Sequence, residues 1–135
     1  MKVTEQTTQQ VERFFRKIAQ KYPHDEDTSL VTDVHVFLSQ DTGEMTAYDD
    51  DGNEATRCVV EQWIGNTDEN FYAEAGKVLR QICEHMRPTL ERLGIMKPYS
   101  IVLEDDEGSN VAELFLADDE TVIIGGDLMD GLDKD

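Results

Sequence analysis

Any nucleophile and its base would have to come from two cysteines, Cys58 and Cys83, and three histidines, His24, His35 and His85. Thiol catalysis needs a thiolate held beside a basic group. Cys83 and His85 stand two apart in a stretch with helical spacing, which points them to different sides. Cys58 alternates with Val60 and Ile64 on what reads as the core face of a strand. Both thiols therefore read as small buried hydrophobes. The chain carries no Gly-x-Ser-x-Gly elbow, Walker loop or dinucleotide fingerprint.

The run Asp49-Asp50-Asp51-Gly52 contains the glycine that a calcium loop needs at its sixth position. That alignment puts Ala47 first and Cys58 twelfth, where carboxylates are required. A hairpin turn rich in Asp for its turn chemistry explains the run without a metal. Asp105-Asp106-Glu107 and Asp118-Asp119-Glu120 have the same reading, and the tip residues Asp50, Asp106 and Asp119 are expected to be expendable for folding. No Cys-x-x-Cys or His-x-x-x-His spacing suggests zinc. Among thirty acids no one pair stands out as a general acid and base, since such groups need a cleft to shift their pKa. The expectation is a protein that is not an enzyme and uses no metal or other cofactor, with a hydrolase built on a carboxylate pair as the catalytic rival.

The elements that would position any site follow from periodicity. Val11, Phe14, Phe15 and Ile18 predict a helix from about Thr4 to Lys21, stopped by Pro23. Between Asn66 and Gly94, Phe71, Ala75, Leu79, Ile82, Cys83, Met86, Leu90 and Leu93 share one side of a second helix. Asn66 and Glu69 offer a capping box, Gly94 a C-terminal stop, and Pro88 a kink or an end near His85. Strand patterns cover Leu30–Leu38, Glu44–Tyr48 and Glu54–Ile64 before this helix. After it they cover Tyr99–Glu104, Asn110–Ala117 and Glu120–Ile124, with Gly and Asp turns between. The expected fold is α+β, two helices packed on a mainly antiparallel sheet in the order helix, three strands, helix, three strands. Residues 1–126 read as a single domain and 127–135 as an acidic tail.

Alternation then assigns faces. Val34, Val36, Leu38, Met45, Ala47, Cys58, Ile64, Ile101, Leu103, Leu114 and Leu116 would face the helices. The opposite face would hold His35, Phe37, Thr46, Tyr48, Val59, Trp63, Val102, Glu113 and Phe115. Four of these aromatics, Phe37, Tyr48, Trp63 and Phe115, make the expected partner-binding surface. Aromatic residues supply large apolar area at low entropic cost and dominate interface hot spots. A one-residue register error would exchange the faces, and the tail is a plainer candidate to cover them.

Charge limits the partners. The chain of 135 residues carries a net −18. The helical stretches hold little of it: Met1–Pro23 has five Lys/Arg against two Glu, and Thr67–Pro98 has five of each sign. Tyr99–Asp135 has twelve acids and one Lys. Such a surface repels phosphate backbones and anionic lipid, so neither nucleic acid nor membrane is an expected partner. No apolar run is long enough to span a bilayer, and the polar first helix is not a signal peptide, so the expected location is the cytoplasm.

The leading expectation is an acidic protein-interaction module or adaptor, with another protein, basic or not, as partner, and a homodimer as a further option. One alternative is a DNA mimic that occupies the cationic groove of a nucleic-acid-binding protein. Another comes from family likeness. Over about the first 117 residues the element order, size and acidity resemble class I type III secretion chaperones, although that family's second helix is shorter and its long closing helix has no counterpart in this pattern. That resemblance implies a dimer that wraps an extended segment of another protein.

Overall fold

The computed structural model describes residues 2–22, 33–93 and 98–117. The first helix, α1 (Glu5–Lys21), starts where Thr4 Oγ1 accepts the Thr7 amide at 3.1 Å, with Glu5 in its first turn and Lys21 in its last. Its stripe of Val11, Phe14, Phe15 and Ile18 is buried. Three strands follow: β1 (Asp33–Leu38), β2 (Glu44–Tyr48) and β3 (Glu54–Val59). A 3-10 turn (Glu61–Trp63) leads to α2 (Phe71–His85) and the single-turn α3 (Arg87–Leu90), and β4 (Tyr99–Glu104) and β5 (Asn110–Ala117) follow. The fold is α+β, as expected, and the described residues form a five-stranded sheet in the order β3-β2-β1-β4-β5.

Three of the four pairings are antiparallel; β1 and β4 run parallel, which makes the sheet mixed. The parallel pair follows from the helical crossover, since parallel neighbours need a long connection and β3 to β4 has one. α1 packs over β3 and α2 over β5, so both helices cover one face. Between them lies the core, which includes Phe14, Phe15, Trp63, Phe71, Leu79, Ile101 and Leu103.

The second helix departs from expectation at its start and follows it at its end. Asn66 Oδ1 accepts the Asp68 amide and Asp68 Oδ1 accepts the Asn70 amide, each at 2.8 Å. These local turns consume the side chains that would have capped a helix at Asn66, and α2 begins only at Phe71. It stops at His85, and Pro88 sits in the first turn of α3. Tyr72 ties α2 to the sheet: its hydroxyl donates to Leu38 O at 3.1 Å and accepts the Gln40 and Asp106 amides at 3.1 and 3.3 Å. The expectations for Leu30–Thr32, Gly94, the strand Glu120–Ile124, Asp119 and the 127–135 tail fall outside the described residues.

Two expected face assignments are overturned. The strand pattern does not continue to Ile64. After Val60 the chain turns back, with Val60 N on Gly43 O at 2.8 Å, Trp63 N on Val60 O at 2.9 Å and Gly65 N on Asp41 O at 2.8 Å. This rotation carries Trp63 to the helix side, edge-on to Phe71 at 5.7 Å, and leaves it 1 % exposed. Ile64, expected in the core, is 55 % exposed. Gly43 makes the close approach possible: it has φ +72°, and a Cβ there would lie 2.7 Å from Val60 O.

The second correction comes from a β-bulge. Ile101 pairs with Phe115 and Val102 with Glu113, so Leu114 has no partner of its own. The extra residue flips the alternation beyond it. Phe115 turns to the helices, with the Arg87 guanidinium 5.1 Å above its ring, and Leu116 turns outward at 43 % exposure.

Candidate functional site

The sheet face away from the helices is organised by register into two central rows. One crosses from Glu54 through Tyr48, His35 and Val102 to Glu113. The next crosses from Arg57 through Thr46, Phe37 and Glu104 to Asn110. Of the four expected partner-binding residues, Phe37 and Tyr48 lie here, half-buried and diagonal to each other, whereas Trp63 and Phe115 belong to the other face.

The centre of the face is a polar cluster built on His35. Its ring stacks on Tyr48 with centroids 5.2 Å apart and planes 16° apart. Nδ1 meets Glu104 Oε2 at 3.0 Å and Nε2 meets Asp50 Oδ1 at 2.8 Å. The Tyr48 hydroxyl donates to the other oxygen of Glu104. Three strands and the β2–β3 turn thus meet at one imidazole. Burial alone pulls the His35 pKa down, but the hydrogen bonds and charges of Asp50 and Glu104 together outweigh it, so the net shift is upward from 6.5. Burial, followed by the hydrogen bond and charge of Glu104, pushes Tyr48 up to about 12.

Glu104 was not singled out from the sequence, and Asp50 was expected only as an expendable turn tip. Glu104 lies beside Phe37 only because β4 runs parallel to β1, a pairing that the local pattern does not disclose. Asp50 is not an idle tip residue, since its carboxylate holds His35. The turn around it is framed by Asp49, whose Oδ1 accepts the Asp51 and Asn53 amides at 2.9 and 3.0 Å.

The cluster resembles a catalytic dyad in composition but not in geometry. Both ring nitrogens of His35 are engaged by carboxylates, which leaves no lone pair aimed at a substrate. The thiols lie elsewhere: Cys58 pairs with Met45 and is pushed up to about 11 by burial, and Cys83 is buried in α2 and shifted upward for the same reason. Among the described residues no group of three or more His, Cys, Asp or Glu is placed to hold a metal ion. Among the described residues no helix is long and apolar enough to cross a membrane.

Around the cluster the face is acidic. Glu44, Glu54, Glu113 and Asp33 surround Asp50 and Glu104, and Arg57 is bound to Glu54 at 2.7 Å and to Glu44 at 3.5 Å. Comparison with protein-family models, with curated proteins and with solved structures returns no match to the chain.

Proposed function

We propose that this chain is a non-catalytic, acidic interaction module whose open sheet face receives a cationic segment of another protein. The observation that supports this reading is the composition of the two central rows. Phe37, Tyr48 and Val102 offer half-buried apolar area; Glu54 and Glu113 end the first row, and Glu104 stands beside Phe37 in the second, which ends in Arg57 and Asn110. A segment alternating Lys or Arg with apolar residues complements that pattern, with apolar contact at the middle and charge at the rim. A second copy of the chain on the same face would bring like charges together, which disfavours this face for a homodimer. Mimicry of DNA calls for unbroken lines of carboxylates, and here Tyr48, His35 and Val102 separate Glu54 from Glu113. The doubly engaged His35 and the two thiols, each with its pKa raised by burial, favour a binding role over catalysis.

The test is a titration of the isotope-labelled chain with an extended peptide alternating lysine and valine, beside its glutamate-for-lysine counterpart. Amide shifts are expected along β1, β2 and β4 with the cationic peptide only. Phe37→Ala should weaken that binding by about tenfold or more. Shifts that map to α1 and α2, an equal response to the acidic peptide, or no response at all would reject this reading.

A further inference from the structure

We propose that the proton on His35 and a cationic segment compete for the same carboxylates on the open sheet face, so that the face takes up such a segment more tightly once the imidazole is neutral. The coupling rests on the interaction reading of this face and names what regulates it. His35 stands at the centre of the face, with Glu104 Oε2 3.0 Å from Nδ1 and Asp50 Oδ1 2.8 Å from Nε2. A protonated ring is a built-in cation among those carboxylates. It supplies the charge that a lysine or arginine of a partner would otherwise bring.

Loss of that proton makes the face one unit more negative. The change requires no movement of the carboxylates. Asp50 has a further interaction besides the one with His35, and Glu104 keeps the hydrogen bond from Tyr48. Tyr48 does not cancel the change, because its own pKa is about 12. Phe37, two places along β1, and Val102, across on β4, are the apolar neighbours of His35 on this face. A lysine or arginine flanking a side chain seated on them comes within the reach of the ring's charge, which salt screens over about 10 Å at 0.1 M.

Among the described residues, charged and titratable groups surround His35 from each neighbouring element. Asp33 shares β1 and accepts the Ser100 amide at 3.1 Å. Glu44 and Tyr48 lie on β2, Glu54 and Arg57 on β3, Glu104 on β4 and Glu113 on β5. Asp49, Asp50 and Asp51 lie in the β2–β3 turn. Tyr22, after α1, has its pKa raised first by burial and then by the charges of Asp49 and Asp50. Arg57 is paired with Glu54 and Glu44. His35 is the one histidine in this set, and histidine is the side chain that ordinarily changes charge near neutral pH. Burial lowers its pKa, but Asp50 and Glu104 outweigh burial, so the ring titrates above 6.5. Linkage fixes the sign. A cation that binds the neutral-ring form better lowers the His35 pKa when it binds, and its affinity rises with pH through the His35 midpoint.

A titration of the full chain with the alternating lysine–valine peptide at pH 6 and pH 8.5, in low salt, tests the coupling. The dissociation constant is expected to be lower at pH 8.5 by about threefold or more, the size set by one unit charge acting near the surface. In His35→Gln, which keeps a polar side chain of fixed neutral charge, the two constants should agree. The reciprocal effect needs no variant. Saturating peptide should lower the His35 midpoint of the parent, followed by nuclear magnetic resonance, by about half a pH unit. The same constant at both pH values, tighter binding at pH 6, an equal pH dependence in His35→Gln, or a midpoint that stays or rises with peptide would overturn the coupling and leave the interaction reading in place. No binding at either pH would overturn both.

Discussion

Trp63 shows how much hangs on the direction of one side chain. On the open face it would be an interface anchor; in the core it is a packing residue. It stands edge-on to Phe71, and among the described residues its indole N–H has no hydrogen-bond partner, so its contribution there is packing. Truncation leaves a cavity that the surrounding Phe71 and helices fill only in part. Trp63→Ala should therefore cost about 3–5 kcal/mol of stability. Chemical denaturation beside sedimentation measures it, with the mass expected to stay the same. A stable variant with altered association would return Trp63 to the interface. His35 is the opposite case. The alternating pattern placed it on the open face, but its chemistry comes from Glu104 and Asp50, which are 69 and 15 residues away in sequence.

Within single elements, the bulge in β5 has the widest effect. Leu114 is passed over by the pairing, and the two residues after it exchange faces relative to simple alternation. Phe115 then lies under Arg87, whose guanidinium also holds Glu84 at 2.5 Å. The consequence can be checked with a pair of substitutions. Phe115→Ala should lose about 3–5 kcal/mol, while Leu116→Lys, on the exposed side, should stay within about 0.5 kcal/mol of the parent. Thermal melts of the two variants decide it, and the reverse order would mean that β5 is regular. The start of α2 teaches a related lesson. Asn66 and Asp68 have the right side chains to cap a helix, yet each bonds the backbone two residues on and holds the chain in turns until Phe71.

At the scale of the whole molecule, charge is the dominant fact. With 30 acids against 12 Lys and Arg, the compact chain repels itself. Its surface ion pairs, such as Arg57 with Glu54 and Arg87 with Glu84, recover little, since exposed pairs contribute about 0–1 kcal/mol each. Screening should then relieve more repulsion than attraction, and the melting temperature should rise as sodium chloride is added. A fall would mean that the paired charges outweigh the excess. The same excess argues that a partner for the open face is cationic, and that its binding weakens as salt increases.

Local patterns were enough to read the α+β class, the bounds of β2, β4 and β5, the apolar stripes of both long helices and the break at Pro88, because each depends on neighbours within a turn or a strand. They also read Phe37, Tyr48 and His35 onto one face correctly, since β1 and β2 are joined by a short turn and stay in simple register. Three features were beyond their reach: the parallel seating of β4 against β1, the bulge at Leu114 and the turn that buries Trp63. Each is settled by contacts between segments far apart in the chain. The cluster around His35 belongs with them, because a carboxylate becomes a partner only when the sheet brings Glu104 alongside and the turn folds Asp50 back over the ring.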